Sequence, residues 1–237
     1  MGLIVPSVNA VIEPEFNRMA PPGFTFHATR VMLRETTPEG VRAMNREVVH
    51  AAALLATLNP DILAYACTSG SFVDGWEAMR RQIGRLSAQA GCPVVATSAA
   101  MVAALEHLGV RRIALATPYL DAINRLEQAF LEDRGFRVVS CRGLGLSGQA
   151  IREVPPERAY ALALETDDPR AEAVFVSCTD LRALQVVDAL ERALRKPVLT
   201  SNQVTLWALL RAAGWPGTLE GCGRLLAGVA PARATAP

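Results

Sequence analysis

The chain has 237 residues, of which 51% are apolar, and its 24 basic and 23 acidic side chains leave a net charge of +1. This length suits one large domain or two smaller ones of roughly 100 residues each. The balanced charge argues against binding to nucleic acid or to an anionic membrane surface, because both need a basic excess on one face. No apolar run is long enough to span a membrane, and residues 1–10 lack the features of a secretory signal, so we expect a cytoplasmic protein.

The cysteines and histidines do not form a recognisable metal site. The five cysteines are odd in number and include no C-x-x-C pair, which argues against a disulfide framework or a structural zinc site. The three histidines, His27, His50 and His107, are far apart in the sequence. We therefore expect a metal-free protein.

Short β-rich apolar runs alternate with longer alanine- and leucine-rich stretches of helical periodicity. The predicted strands are Leu3–Pro6, Phe24–Met32, Ile62–Ala66, Pro93–Ala96, Arg112–Thr117, Arg137–Cys141, Ala173–Ser177 and Pro197–Thr200. The helical stretches include Gly40–Leu58, Ser98–Leu108, Tyr119–Arg134 and Thr179–Arg195. This alternation predicts an α/β fold with parallel sheets flanked by helices. The final residues, Ala230–Pro237, have no periodicity and are predicted to form a loose tail.

An internal duplication is visible in the order of the motifs. The segment Tyr65-Ala-Cys67-Thr68 resembles Val176-Ser-Cys178-Thr179, and the second cysteine follows the first by 111 residues. Other strand-end segments recur in the same order at similar spacing, which indicates two half-domains of one topology. We predict an N-terminal lobe of residues 1–109, on which residues 214–237 pack back, and a C-terminal lobe of residues 110–213.

Cys67 and Cys178 are the strongest functional candidates. Ligands bind at the carboxyl ends of parallel strands, so the two thiols are expected in strand-end loops that flank one cleft. Each is followed by Thr at a predicted strand-to-helix turn, whose N–H groups bind a carboxylate and favour a thiolate. The remaining cysteines lack this context and are interpreted as small buried residues: Cys92, Cys141 and Cys222.

The segment Gly143–Gly148 matches G-x-G-x-x-G, the fingerprint of a dinucleotide-binding fold, and Asp167 and Asp168 follow about 20 residues later. However, Pro155 and Pro156 are expected to break any helix within two turns, so a long pyrophosphate-binding helix is not predicted. We interpret the segment as a mobile lid over the cleft.

Several polar residues near strand ends have simple structural interpretations. Ser98, Ser201 and Asn202 are predicted to be helix caps. The Glu13/Glu15 pair and the Arg80/Arg81 run are predicted to lie on solvated helix faces. Asn9 and Tyr119 occupy equivalent strand-end positions in the two halves, which favours a role in positioning substrate.

Four motifs together resemble the Asp/Glu racemase superfamily, in the branch of maleate cis–trans isomerases and arylmalonate decarboxylases. They are V-P-S-x-N near the start, A-C-T-S-G-S-F at residues 66–72, A-T-P-Y at residues 116–119 and S-C-T-D at residues 177–180. The resemblance runs to about Leu226. It implies two similar α/β lobes related by a pseudo-twofold axis, with the active site between them.

The resemblance also implies roles for individual residues. Cys67 would be the nucleophile and Cys178 the opposing acid/base, while Asn9 and Tyr119 would hold a carboxylate. Further substrate-binding donors would come from Thr68, Ser69 and Thr179, and Gln149 is the nearest match to an asparagine of the isomerase late loop. The chain departs from the isomerases in the Thr68-Ser69-Gly70 segment, which is closer to the decarboxylases and to homologues in ectoine breakdown. The decarboxylases keep only the second thiol, whereas this chain has both.

The paired thiols predict a cofactor-independent isomerase that acts on a small (di)carboxylic acid. In one route, a thiolate adds to the double bond of an unsaturated acid. In the other, one thiolate removes an α-proton and the opposing thiol reprotonates the same carbon from the other face. Neither route needs a metal or an organic cofactor. Because Asp180 follows Cys178, we expect Cys178 to have the higher pKa and Cys67 to be the resting thiolate. The alternatives are an arylmalonate-type decarboxylase, an amino-acid racemase, a non-catalytic small-acid binding module and a dinucleotide-dependent oxidoreductase. The predicted partner is a small carboxylate, with no nucleic acid and no membrane, and homo-oligomerisation is left open.

Overall fold

Eight strands form two parallel sheets in the computed structural model, which describes residues 1–228. The first sheet contains β1 (Gly2–Pro6), β2 (His27–Val31), β3 (Leu63–Tyr65) and β4 (Val94–Ala96). The second sheet contains β5 (Arg112–Tyr119), β6 (Arg137–Leu146), β7 (Ala173–Val176) and β8 (Val198–Thr200). The strand orders, β2-β1-β3-β4 and β6-β5-β7-β8, are equivalent. The predicted α/β fold of two similar lobes is therefore confirmed.

Helices connect the strands and cover both faces of the sheets. They are α1 (Ile12–Met19), α2 (Pro38–Asn45), α3 (Val48–Ala56), α4 (Thr68–Phe72), α5 (Trp76–Ala90), α6 (Thr97–His107), α7 (Asp121–Asp133), α8 (Pro156–Thr166), α9 (Val187–Leu194), α10 (Ser201–Ala212) and α11 (Gly223–Ala227). Two 3-10 helices, Gly148–Ile151 and Leu184–Val186, lie in the second half. Among the described residues, no helix is long and apolar enough to cross a membrane.

The central strands are apolar on both faces because helices exclude water from both. All residues of β1, β3 and β7 are buried. In the register of the sheets, Ile4 pairs with Tyr65 and Leu115 pairs with Phe175. The chain therefore leaves β3 and β7 at corresponding carboxyl ends, and each of these ends is followed closely by a cysteine of the predicted pair.

Helices α6 and α10 join the two halves. They pack against each other, and α10 also contacts β3 and β4 of the first sheet. The hydroxyl groups of Thr97 and Thr205 form a hydrogen bond of 2.9 Å across this contact. After α10, Trp215 packs edge-to-face on Phe24 of the first half, whereas α11 contacts α9, α10 and β8. Residues 214–228 thus contact both halves, and the exact lobe boundaries stay a prediction. The tail predicted over Ala230–Pro237 lies outside the described residues.

Two predicted helices differ from the observed ones. The stretch Gly40–Leu58 is divided into α2 and α3, because α2 ends at Asn45, whose side chain contacts Tyr65 and Gly70. The stretch Thr179–Arg195 becomes helical only from Leu184, where the 3-10 helix leads into α9. Cys178 has a φ of 94°, which turns the chain away from a helical path directly after β7.

The glycine motif and the prolines after it also behave differently from the prediction. Strand β6 continues to Leu146, so most of Gly143–Gly148 is strand rather than loop. Pro155 and Pro156 do not break a helix; they are the N-cap and first residue of α8, where proline needs no hydrogen-bond donor.

Candidate active site

Cys67 lies directly after β3 and caps the N-terminus of α4. Its extended backbone lets the side chain turn back over the first turn of the helix, where Sγ accepts a hydrogen bond of 3.3 Å from the Gly70 N–H. The Ser69 hydroxyl lies 3.7 Å from the same sulfur. Two donors therefore converge on this buried thiol.

A group of polar contacts behind α4 holds this loop in place. The Asn45 amide donates a hydrogen bond of 2.8 Å to the Gly70 carbonyl, and its oxygen accepts from the Tyr65 hydroxyl. A Cβ at position 70 would overlap the Tyr65 hydroxyl, so the loop can approach this closely only with glycine.

Cys178 lies after β7, in a turn rather than at a helix N-terminus. Its Sγ accepts a hydrogen bond of 3.3 Å from the Asp180 N–H, and the nearby Tyr119 hydroxyl acts as a donor that lowers the pKa of this thiol. Its own N–H donates to the Ser201 hydroxyl at 2.9 Å. The expected helix N-terminus at this thiol is therefore wrong, and backbone and tyrosine donors take its place.

Both thiols line one cavity between the two halves of the molecule. The cavity is lined by Pro6, Val8, Asn9, Leu33, Thr36, Cys67, Thr68, Ser69, Tyr119, Gly148, Ile151, Cys178, Thr179 and Asp180. Its volume is about 20 Å³, room for about one water molecule, so the site is closed. A substrate the size of maleate requires the surrounding loops to open.

Several side chains predicted to bind substrate are instead engaged across the halves. The Asn9 amide donates to the Thr179 hydroxyl at 3.0 Å, and its oxygen accepts from the N–H groups of Val11 and Ile12. The Thr179 hydroxyl donates to the Ala66 carbonyl. These contacts tie the β1–α1 loop to the Cys178 turn.

A second bridge joins the two cysteine loops through the Ser201 hydroxyl. The Thr68 hydroxyl donates to the Ser201 hydroxyl oxygen at 2.9 Å, and this oxygen also accepts from the Cys178 N–H. Asn9 keeps one amide hydrogen for a ligand, whereas the hydroxyl hydrogens of Thr68 and Thr179 already have protein acceptors.

Burial dominates the acidity of the two thiols. It raises the pKa of Cys67 to about 11, although the Gly70 N–H and the Ser69 hydroxyl lower it. Burial and then the Asp180 carboxylate raise the pKa of Cys178 well above its usual range, in spite of the Tyr119 hydroxyl. The Asp180 carboxylate raises the pKa of Cys178 in the predicted direction. The expected lowering of the Cys67 pKa is wrong for the closed site, because desolvation outweighs the donors.

The structure excludes Gln149 from the cavity. In the 3-10 helix Gly148–Ile151, residues three apart lie on the same side, so Gly148 and Ile151 face the cavity while Gln149 is exposed. Gly148 has a φ of 55°, and its N–H donates to the Thr36 hydroxyl. The Thr36 N–H in turn donates to the Ser147 hydroxyl at 2.7 Å. The cavity is therefore covered by the β2–α2 loop and residues 147–151, whose mobility stays a prediction.

Three functional candidates were missed because their environment depends on distant parts of the chain. Asp180 lines the cavity, Ser201 bridges the cysteine loops instead of capping a helix, and Glu15 is buried instead of solvated. The Glu15 carboxylate accepts a hydrogen bond of 2.6 Å from Asn202, which also donates to the Thr179 carbonyl. Burial raises the pKa of Glu15 to about 7. The cap of α10 is Thr200.

The other cysteines lie away from the cavity. Cys222 is buried, whereas Cys92 and Cys141 are only half-buried, so the buried-thiol interpretation is wrong for the latter two. Within residues 1–228, no group of three or more His, Cys, Asp or Glu side chains could hold a metal ion.

Two equivalent α/β halves, each with a cysteine after the corresponding strand and both thiols facing one cavity, define a protein of the Asp/Glu racemase type. The chain belongs to the arylmalonate decarboxylase family, whose model matches residues 1–226. The predicted family resemblance is therefore confirmed.

Named relatives in this family have two different activities. The maleate isomerase of Nocardia farcinica is 30% identical over 95% of this chain and 94% of its own length. The arylmalonate decarboxylase of Bordetella bronchiseptica is 31% identical over 90% of each chain. Among solved structures, a cysteine-to-serine variant of the Nocardia farcinica isomerase with a covalently bound succinylcysteine intermediate has a TM-score of 0.91 and 29% identity. That match covers 95% of this chain and 97% of the other.

Proposed function

We propose that this protein is a cofactor-independent isomerase of a small unsaturated carboxylic acid, similar to maleate isomerase. The observation that carries the proposal is the pair of buried thiols, Cys67 and Cys178, that line one cavity from opposite halves of the molecule. Similarity over nearly the full length to named maleate isomerases supports it.

In the proposed reaction, Cys67 is the nucleophile. Opening of the site rehydrates the thiol and lowers its pKa towards the ordinary value, and the Gly70 N–H and the Ser69 hydroxyl stabilise the thiolate. The sulfur lone pair forms a bond to one alkene carbon, and the π electrons move onto the far carboxylate as an enediolate. The former double bond is now single and can rotate.

Cys178 acts as the acid and base on the other side of the substrate. Its raised pKa keeps it protonated, so it can give a proton to the neighbouring carbon and take it back after rotation. The electron pair left on that carbon then reforms the double bond in the trans geometry. The carbon–sulfur bond breaks, and its electrons leave with the Cys67 sulfur as a thiolate. The Tyr119 hydroxyl stabilises the Cys178 thiolate while the proton is away.

Proton NMR in D2O with maleate, its monoamide maleamate, an arylmalonate and amino acids tests this proposal. Conversion of maleate or maleamate to its trans isomer supports the isomerase, whereas loss of CO2 or deuteration at an α-carbon alone would replace it with a decarboxylase or a racemase. The Cys92→Ser variant is the matched control, because this thiol does not line the cavity. It should isomerise at the wild-type rate.

Decarboxylation of a malonate-type acid is the second candidate, supported by the 31% identity to the Bordetella bronchiseptica enzyme. Such a reaction needs only one proton donor, which would be Cys178. It would therefore survive in Cys67→Ser, a variant that should abolish isomerisation. The cytoplasmic location stays a prediction.

A further inference from the structure

Asp180 brings a negative charge to the wall of the candidate active site. The residue is only 5% exposed. One carboxylate oxygen, Oδ1, accepts a hydrogen bond of 2.8 Å from the Ala10 N–H. The other, Oδ2, is buried and has no hydrogen-bond partner among residues 1–228. An unsatisfied buried acceptor of this kind is costly, which indicates that a ligand supplies the missing donor.

The rest of the cavity wall does not compensate this charge. Within the described residues, Asp180 is the only acidic side chain of the wall, and no Arg, Lys or His lines it. Arg152 and Arg30 lie outside the wall and donate to the carbonyl oxygens of Val8 and Asn9 rather than to the carboxylate. Burial raises the pKa of Asp180 to about 6 and outweighs the charges of these two arginines, which lower it. A substrate with two carboxylates would therefore place a second anion against Asp180 in a desolvated site, where like charges repel strongly.

We propose that Oδ2 of Asp180 accepts a hydrogen bond from the substrate, so that the substrate carries one carboxylate and one N–H or O–H donor. A monoamide, an amino acid or a hydroxy acid has this pattern, whereas a dicarboxylate does not. The inference rests on the proposed function, because it assigns the substrate class of that same site. The carboxylate of the ligand would be met by the amide hydrogen of Asn9 that the protein leaves unused.

Calorimetric binding of succinate and succinamate tests the inference without any reaction. Both are saturated, so neither can be isomerised, and they differ only in the replacement of one carboxylate by an amide. Succinamate should bind the wild-type protein about tenfold more tightly or better, because its amide N–H can donate to Asp180. In Asp180→Asn, whose amide can donate to a carboxylate, this preference should disappear. Asp133→Asn, which changes an exposed carboxylate at the end of α7, should keep it.

Equal or tighter binding of succinate by the wild-type protein would overturn the inference, even if Asp180→Asn did not fold. An unchanged preference in a folded Asp180→Asn protein would overturn it too, and so would the absence of binding of both compounds at millimolar concentration. Failure of the proposed isomerase function would appear separately, as the absence of turnover by NMR with an intact binding preference.

Discussion

Glu127 is a fully buried carboxyl group beside the Cys178 strand, and its replacement by glutamine should make the stability of the protein less sensitive to alkaline pH. On α7, its Oε1 accepts a hydrogen bond of 2.7 Å from the Ser177 hydroxyl, while Oε2 is buried and has no partner in the described part of the chain. Burial raises the pKa of this carboxyl from 4.5 to about 8. The folded protein therefore holds a neutral carboxylic acid at neutral pH.

The size of the effect follows from the difference in proton binding between the folded and unfolded chains. The unfolded carboxyl ionises near pH 4.5, whereas the folded one keeps its proton to about pH 8. Between these values the unfolded chain binds fewer protons, so the contribution to stability is complete below pH 4.5 and is lost as the pH rises to about 8. One pKa unit corresponds to about 1.4 kcal/mol, so raising the pH from 6 to 9 should cost about 3 kcal/mol at this residue.

Urea unfolding at pH 6 and pH 9 measures this cost. Glutamine cannot ionise and keeps an acceptor for Ser177, so Glu127→Gln should lose about 3 kcal/mol less than the wild type over this range. Glu132→Gln changes an exposed carboxyl on the same helix and should follow the wild type. Equal losses in the wild type and Glu127→Gln would refute the idea of a neutral buried carboxyl.

Three further substitutions test the support around the thiols. Gly70→Ala should destabilise the protein by about 1–3 kcal/mol in urea unfolding, because the new methyl group overlaps the Tyr65 hydroxyl. The control Gly84→Ala should not destabilise it, because the space around the Gly84 Cα is open. Ser201→Ala removes the shared acceptor of the cysteine loops and should lower the free energy of unfolding by about 1–3 kcal/mol. Tyr119→Phe should lower kcat about tenfold and shift the alkaline limb of the pH profile of kcat to higher pH, because Cys178 loses a donor that lowers its pKa. An unchanged profile would show that Tyr119 does not act on this thiol.

The sheets could be predicted from the sequence because each buried parallel strand is a short apolar run. The repeat of Cys67 and Cys178 at corresponding strand ends predicted which loops form the site. Both inferences depend on local pattern and on topology, which the chain shows directly. The duplication also predicted equivalent positions for Asn9 and Tyr119, and both residues line the cavity.

The errors concern residues whose environment is set by contacts across the molecule. Glu15 has the local pattern of an exposed helix residue, but Asn202, 187 positions later, packs on it. Ser201 is the first residue of α10, yet its hydroxyl oxygen accepts hydrogen bonds from Thr68 and Cys178 in the two cysteine loops rather than from the N–H groups of the helix. The thiol pKa values could not be predicted either, because desolvation depends on how completely both halves enclose the cavity.

The most direct test of the two-thiol account is to find which sulfur becomes covalently attached to substrate. Cys178→Ser is incubated with maleate and with maleamate, digested and mapped by mass spectrometry, and Cys67→Ser is treated in parallel. Because Cys178→Ser keeps the nucleophile but lacks the acid/base partner, we expect an adduct of one substrate on Cys67. Cys67→Ser should show no adduct in the active site. An adduct on Cys178 in the Cys67→Ser protein would reverse the assigned roles. If neither variant formed an adduct and the wild-type protein showed no adduct and no turnover, covalent catalysis by Cys67 would be contradicted.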